Sequence, residues 1–378
     1  MRSLGLYIHI PFCKAKCIYC DFYSLPRAEG QMDAYVSALT AQLAAWRERT
    51  ADCTVDTVYF GGGTPSYLGP DCLCRLLDAV FQSYRVAPGA EITLETNPDS
   101  AQDISALRQL HNAGFDRLSL GMQSADDAEL RRIGRVHTHA QTVRAVENAR
   151  AAGFDNLSLD LIYGLPEQTM TRWQANLDAA LSLAPEHLSC YGLKVEEGTP
   201  LFAQRKRFTL PDDDAQADMY LYAVDFLAQH GYEQYEISNF CRPGKYSRHN
   251  TSYWKGIAYL GCGPSAHSFD GMTREWNVSS IDTYIKGIEE DCRAFETEYL
   301  DPTTRYNEFI ITTIRTVWGT PIEKLKQMFG NEMWEYCQKM AAPYLKNGKL
   351  EEYNGALRLT REGIFISDSI MSDLLWVD

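Results

Sequence analysis

Ala113-Gly114-Phe115-Asp116-Arg117-Leu118-Ser119-Leu120 returns further along the chain as Ala152-Gly153-Phe154-Asp155-Asn156-Leu157-Ser158-Leu159. Each copy reads as a helix stopped by glycine, then a short apolar strand. A weaker third copy is Leu188-Ser189-Cys190, and residues 5–10, 57–60 and 92–95 are earlier apolar runs of β type. Between the strands the apolar spacing becomes helical. Tyr35, Val36, Leu39, Leu43 and Trp46 share one face, and Leu73, Leu76, Leu77, Val80 and Phe81 share another. Strand–helix–strand alternation implies a parallel sheet with right-handed crossovers. Six such units up to about residue 195 predict an α/β fold, a partial or complete barrel rather than a doubly wound sheet.

In either architecture a ligand sits at the carboxyl ends of the strands. The unusual residues fall there: Cys13 after the first strand, residues 61–64 after the second, Glu95 after the third, Gln123 after the fourth and Asp160 after the fifth. That common register predicts one shared site.

Composition sets the outer limits. The chain has 378 residues, enough for two or three domains or one barrel with an appendage. With 36 Lys and Arg against 50 Asp and Glu, the net charge is −14. That excludes broad nucleic-acid binding and leaves at most a peripheral membrane role. No apolar run reaches the ~18 residues of a membrane span. The segment before Cys13 is too short for a signal peptide, so a cytoplasmic location is expected. The 11 cysteines are odd in number in a long chain, which favours reduced or metal-bound thiols over a disulfide framework.

Three regions follow. Residues 1–212 form the barrel core and 213–298 an extension that opens on the acidic helix start at Asp212, Asp213 and Asp214. A β-like stretch follows at 232–237. Residues 299–378 read as a helical, winged-helix-like domain ending in a hairpin over 350–359. It has no basic recognition stripe, so packing or an interface is expected of it rather than DNA binding.

Cys13-Lys14-Ala15-Lys16-Cys17-Ile18-Tyr19-Cys20 is C-x3-C-x2-C. Three thiolates on one loop suit three irons of a four-iron cube and leave the fourth open to another ligand. Lys14 and Lys16 would favour thiolates. Structural zinc with His9 as fourth ligand, or three unrelated cysteines, are the alternatives. The remaining cysteines, at 53, 72, 74, 190, 241, 262, 292 and 337, have no motif and read as buried small hydrophobes. His137 and His139 read as loop residues.

The cysteine motif resembles that of the radical S-adenosylmethionine (SAM) superfamily. Tyr7-Ile8-His9-Ile10-Pro11-Phe12-Cys13, Gly61-Gly62-Gly63-Thr64-Pro65-Ser66 and Asp160-Leu161-Ile162-Tyr163-Gly164-Leu165-Pro166 look like its branch containing oxygen-independent coproporphyrinogen dehydrogenase. The resemblance spans essentially the whole chain. It implies a partial (β/α)6 TIM-like barrel and a [4Fe-4S] cluster on Cys13, Cys17 and Cys20. It also implies SAM contacts from Gly62, Gly63, Thr64, Glu95, Gln123, Arg135 and Asp160, with Tyr7, Tyr19, Lys194 and His267 as further pocket positions. Glycines let a backbone approach a ligand closely. The carboxylates of Glu95 and Asp160 can accept from ribose hydroxyls, and Arg135 offers a fork for a carboxylate such as methionine's. No catalytic residue is assigned.

Two features place the chain within that branch. The dehydrogenases carry a further cysteine two residues after the third cluster cysteine, where this chain has Phe22, and a longer segment before the cluster. Arg248-His249-Asn250-Thr251-Ser252-Tyr253-Trp254 contains H-N-x-x-Y-W and resembles the HemW-type haem chaperones, as do residues 235–240 and 263–268. The resemblance implies haem as cargo, with His249 as an iron ligand and Asn250, Tyr253 and Trp254 around the porphyrin. On the residues alone, His249 and Asn250 fit equally well as loop hydrogen-bonders and Trp254 as core. An acceptor haem protein, a reductant such as flavodoxin or ferredoxin, and a homodimer are the expected partners. Radical SAM oxidation of coproporphyrinogen III is the alternative activity, and a zinc-stapled binding protein a remote third.

Overall fold

The computed structural model describes residues 1–377. Six strands, β1 (Arg2–Ile10), β2 (Cys53–Gly62), β3 (Val86–Thr96), β4 (Arg117–Gln123), β5 (Asn156–Tyr163) and β6 (His187–Gly192), lie side by side in sequence order, each parallel to the next. Helices α1 (Met32–Ala45), α2 (Pro70–Ser83), α3 (Ile104–Ala113), α4 (Asp127–Arg132), α5 (His139–Ala152) and α6 (Met170–Ser182) make the crossovers. This is the barrel expected from the repeats, in the partial form the family resemblance implies.

The punctuation is the one read from the repeats. Asp103 caps α3 and Gly114 (φ 121°) ends it. Thr138 and Gln141 form a capping box on α5, and Gly153 (φ 111°) ends that helix. The apolar residues of the strands and inner helix faces form one large core. Trp173 on α6 is fully buried within it and donates from Nε1 to the Met219 carbonyl at 2.8 Å. That bond fixes α6 against α8 (Asp213–Gln229), which follows the short α7 (Pro200–Gln204). Phe81 departs from expectation: it lies at the end of the α2 stripe and remains exposed.

Further strands extend both edges. β7 (Glu233–Gln234) and β8 (Asn239–Cys241) continue from β6. The strand expected at 232–237 is this short because Glu236 turns inward, accepting from the Ser238 amide, the Asn239 side chain and Arg315. On the other edge β9 (Tyr259–Cys262) runs parallel to β1 and leads to β10 (His267–Phe269), β11 (Thr273–Asn277) and β12 (Phe295–Tyr299). The connection into β9 is α9 (Arg248–Trp254), the H-N-x-x-Y-W segment, and α10 (Ile281–Glu289) packs on α1. Backbone amides of Arg248 and His249 donate to Glu91 of β3 at 3.0 Å each, which docks α9 at the amino ends of the strands.

From Pro302 a second core forms around Tyr306, Ile310, Ile314, Leu325 and Leu374. Its elements are α11 (Pro302–Ile314), β13 (Thr320–Pro321), α12 (Ile322–Lys346), β14 (Leu350–Tyr353), β15 (Ala356–Leu359), α13 (Arg361–Ile364) and α14 (Ser367–Leu374), with α12 broken at Gly330. Asn354-Gly355, both at positive φ, turn the hairpin between β14 and β15. Among the described residues no helix is long and apolar enough to cross a membrane.

Candidate cluster and cofactor pocket

A cavity of about 400 Å³ opens at the carboxyl ends of the strands. The parallel register places His9 beside Gly61 and Ile10 beside Gly62. The loop after β1 therefore lies directly on the loop after β2. The Gly63 amide donates to the Ile10 carbonyl at 2.9 Å, and the Thr64 amide to the Phe12 carbonyl at 2.7 Å. A Cβ on Gly63 would stand 2.6 Å from the Phe12 oxygen, and one on Gly62 would stand 2.6 Å from the His9 ring. Glycine is thus required first to seat the cysteine loop. Gly62, Gly63 and Thr64 nonetheless line the cavity as well.

Cys13, Cys17 and Cys20 all open onto this cavity. The loop is braced from behind, where the Ile18 amide donates to the Ile133 carbonyl at 3.2 Å. Burial raises the Cys13 and Cys20 thiols above their ordinary range. Lys14 is drawn off to Asp99 at 3.2 Å and Lys16 to the Phe22 carbonyl at 3.0 Å. The charge of Lys16 still favours the ionised form of Cys13 and Cys20, as expected, but burial outweighs it. His9 is unsuited to zinc: one ring nitrogen meets Tyr7 Oη at 2.9 Å, the other the Tyr23 carbonyl at 3.1 Å. Among the described residues no three His, Cys, Asp or Glu side chains gather about a point fit for one metal ion. A cube, with each thiolate on a different iron, needs no such convergence.

Tyr19, Glu95, Gln123, Arg135, Asp160 and Lys194 share the cavity with the thiols. Glu95 accepts from Tyr59 Oη at 2.7 Å and from the Gly62 amide at 3.1 Å. Burial, helped by the neighbouring Asp160, moves Glu95 up to about 7 against the pull of those bonds. Burial also raises Asp160, which accepts from Ser119 at 3.4 Å. Gln123 has positive φ (62°), and its buried Oε1 has no partner. Arg135 does not present the free fork expected of it. Its Nη2 donates to Asn97 Oδ1 and to the Gly121 carbonyl, both at 2.7 Å, while Nη1 stands 3.7 Å from Cys17 Sγ. Asn97 in turn donates to Thr64 at 3.0 Å, tying three strand ends together.

Other expected positions lie apart. Tyr7 is not on the cavity wall and is engaged with His9. His267 lies on outer strand β10, stacked on Trp276 at 5.5 Å. His249 is enclosed, with Nδ1 at 2.8 Å from Thr57 Oγ1 and Nε2 at 2.8 Å from Tyr253 Oη. Burial and then the charge of Arg117 lower it to about 3. Neither nitrogen is free for iron in this arrangement, so His249 and Tyr253 act here as a bolt between α9 and β2. Trp254 lies under the Arg315 guanidinium at 4.3 Å, on the side facing the C-terminal domain. Of the four, only Asn250 faces the cavity. Cys292 is exposed, unlike the buried hydrophobe expected, and His137 is buried against the Met122 carbonyl at 3.1 Å. Among the polar wall residues missed in the sequence are Arg117, Ser119, Asn97, His187 and Ser189. Period-two counting back from Gln123 along β4 reaches Gly121, Ser119 and Arg117, and would have found the first two.

A barrel with three loop thiols at its mouth is the architecture of the radical SAM class. The profile of the Radical SAM superfamily matches residues 7–180, and that of the HemN C-terminal domain matches residues 300–366. The chain is 36% identical to the heme chaperone HemW of Mycobacterium tuberculosis over 99% of its own length and 95% of the relative's. It is 33% identical to HemW of Bacillus subtilis, covering 98% of both chains. It is also 35% identical to the mitochondrial radical S-adenosyl methionine domain-containing protein 1 of Mus musculus, over 98% of this chain and 87% of that one. Its fold is that of the coproporphyrinogen III oxidase HemN of Escherichia coli, with a TM-score of 0.86 at 24% identity, covering 99% of this chain and 90% of that chain. The chain belongs to the HemW family of the radical SAM superfamily.

Proposed function

We propose that the protein is a haem chaperone that carries a [4Fe-4S] cluster on Cys13, Cys17 and Cys20, binds SAM beside it, and delivers haem to an acceptor haem protein. The observation that carries this reading is the set of three thiols on one loop, opening together onto a cavity walled by carboxylates at the strand ends. The donor set fits a cube with one iron left free for an exogenous ligand. When bound, the cluster supplies the electron for reductive cleavage of SAM to methionine and a deoxyadenosyl radical.

The chain itself binds and orients. Glu95 and Asp160 accept from ribose hydroxyls, and the unpartnered Oε1 of Gln123 accepts a further donor. Gly62, Gly63 and Thr64 give backbone contacts, while Tyr19 and Lys194 complete the wall. Arg135 is a positioning residue that fixes Asn97 and faces Cys17. Tyr7 and His267 are left out of the SAM set. For haem, Asn250 is the contact on the cavity side, and His249 and Tyr253 hold α9 in place. The reductant is a flavodoxin- or ferredoxin-type protein, and the setting is the cytoplasm.

The second reading, oxidative decarboxylation of coproporphyrinogen III, has the shared cavity in its favour. Against it stands Phe22, 66% exposed at the cavity mouth where the dehydrogenases carry a further cysteine. The test is anaerobic incubation of reconstituted protein with SAM, a reductant and coproporphyrinogen III, followed by mass spectrometry. Haem transfer to an apo-acceptor with no decarboxylated product supports the chaperone. Multiple-turnover product would replace it with the enzyme.

A further inference from the structure

The cavity is deeper than its rim requires. Along β4 the inward row is Arg117, Ser119, Gly121 and Gln123, and all four line it. Six residues of strand at ~3.3 Å each set Arg117 at most about 20 Å along the strand from Gln123. There Arg117 is 1% exposed. Its Nε has no hydrogen-bond partner, and among the described residues no carboxylate reaches ion-pair distance of it. The two acids above it feel its charge, which acts to lower both, but their hydrogen bonds go elsewhere: Glu95 to Tyr59 and the Gly62 amide, Asp160 to Ser119.

The groups around Arg117 on the floor are uncharged. His187 is hydrogen-bonded to Ser158 Oγ at 2.7 Å and to Tyr235 Oη at 2.8 Å. His249 is held in the same way between Thr57 and Tyr253. Burial first, and then the charge of Arg117, keeps both rings neutral. Asn250 adds an amide from α9. An enclosed guanidinium without a partner is costly, and a structural arginine would have acquired a carboxylate. One facing a cavity, with planar donors free, is matched to an oxyanion that arrives with a ligand.

We propose that the floor of the barrel is an oxyanion subsite in which Arg117 receives a carboxylate of a second ligand lying beneath the rim. The carboxylate has two possible sources, a porphyrin propionate or a free small carboxylate. The first source rests on the haem reading and the second is independent of it.

The experiment uses the cluster-reconstituted full chain, with Arg117→Gln and Arg117→Lys. Acetate and formate are titrated by calorimetry at constant ionic strength, with chloride as control. Haem and haem dimethyl ester are titrated by absorbance. Saturable carboxylate binding is expected in the wild type, weakened on the order of tenfold to a hundredfold in Arg117→Gln and partly restored in Arg117→Lys. Without added anion, Arg117→Gln should melt no lower than the wild type. An ester penalty that vanishes in Arg117→Gln assigns a propionate, whereas acetate binding without an ester penalty assigns a free anion. No carboxylate binding together with no ester penalty in the wild type overturns the subsite, even where haem itself binds. So does a melting temperature that falls in both variants with carboxylate affinity unchanged, which would make the charge structural.

Discussion

Glu95→Gln isolates the most informative carboxylate. Glu95 is partly buried on the cavity wall, and burial lifts it from an ordinary 4.5 to about 7. Linkage then gives the sign. Between pH 4.5 and 7 the folded chain keeps this proton while the unfolded chain has lost it. Stability from this group is therefore intact below pH 4.5 and lost as pH rises through 7. The difference of 7 − 4.5 at 1.36 kcal/mol per pH unit is roughly 3 kcal/mol. Glutamine keeps both contacts: its oxygen accepts from the Gly62 amide, and its NH2 donates to Tyr59, whose hydroxyl rotates to accept. The variant should therefore gain on the wild type by about 3 kcal/mol from pH 4.5 to pH 8, or about 4 °C in melting temperature for a chain of this length. Groups remote from Glu95 titrate alike in both proteins, so the difference curve belongs to Glu95 together with its coupled neighbour Asp160. SAM affinity should move in the opposite sense, the wild type tightening as pH rises through 7 and the variant staying flat. The assay is thermal unfolding of both proteins without SAM at half-unit pH steps. A difference curve flat across pH 5–8 would show that Glu95 ionises normally, and the account of its burial would be wrong.

Cys17→Ala should assemble no stable four-iron cluster, read as lost iron, lost sulfide and lost visible absorption; full iron and sulfide loading would remove Cys17 from the ligand set. Gly63→Ala forces a methyl to within 2.6 Å of the Phe12 carbonyl, so it should cost ~2 kcal/mol or more and reduce cluster loading, with normal melting and normal iron as the refuting pair. His249→Ala removes two buried hydrogen bonds and a ring stacked 5.0 Å from Tyr59, so urea unfolding should report a loss of about 3 kcal/mol. Tyr253→Phe frees only His249 Nε2: haem affinity should stay unchanged if His249 is a bolt, and an increase with an imidazole-ligated spectrum would restore His249 as the iron ligand.

Most of the architecture was legible because it rests on local chemistry. Gly114 and Gly153 stop helices by adopting positive φ, a property of the residue rather than its neighbours. The same punctuation fixes where each strand ends, so Glu95, Gln123 and Asp160 could be placed at one barrel mouth with Cys13 before any contact was known. The limits were also physical. Glu236 shortened the expected strand at 232–237 by turning its carboxylate inward to Asn239 and Arg315. Arg315 is distant in sequence, and no local pattern announces it.

The site residues divide along the same line. A strand-end position is set by periodicity, but the direction of a side chain in a loop is set by its partners. Arg135 sits near the thiols as expected, yet Asn97 and Gly121 occupy its fork. His249 lies in a motif suggestive of metal ligation, yet Thr57 and Tyr253 occupy both nitrogens. Arg117 is the converse case. No motif marks it: period-two counting back from Gln123 places it on the inward row, but an arginine at a strand start ordinarily reaches solvent. The structure shows that the charge lines the cavity with its Nε unpartnered and, among the described residues, no carboxylate within ion-pair distance, although its field reaches Glu95 and Asp160. Motif reading finds residues that act at the ends of elements. A charge buried along an element emerges only when its missing partner is sought.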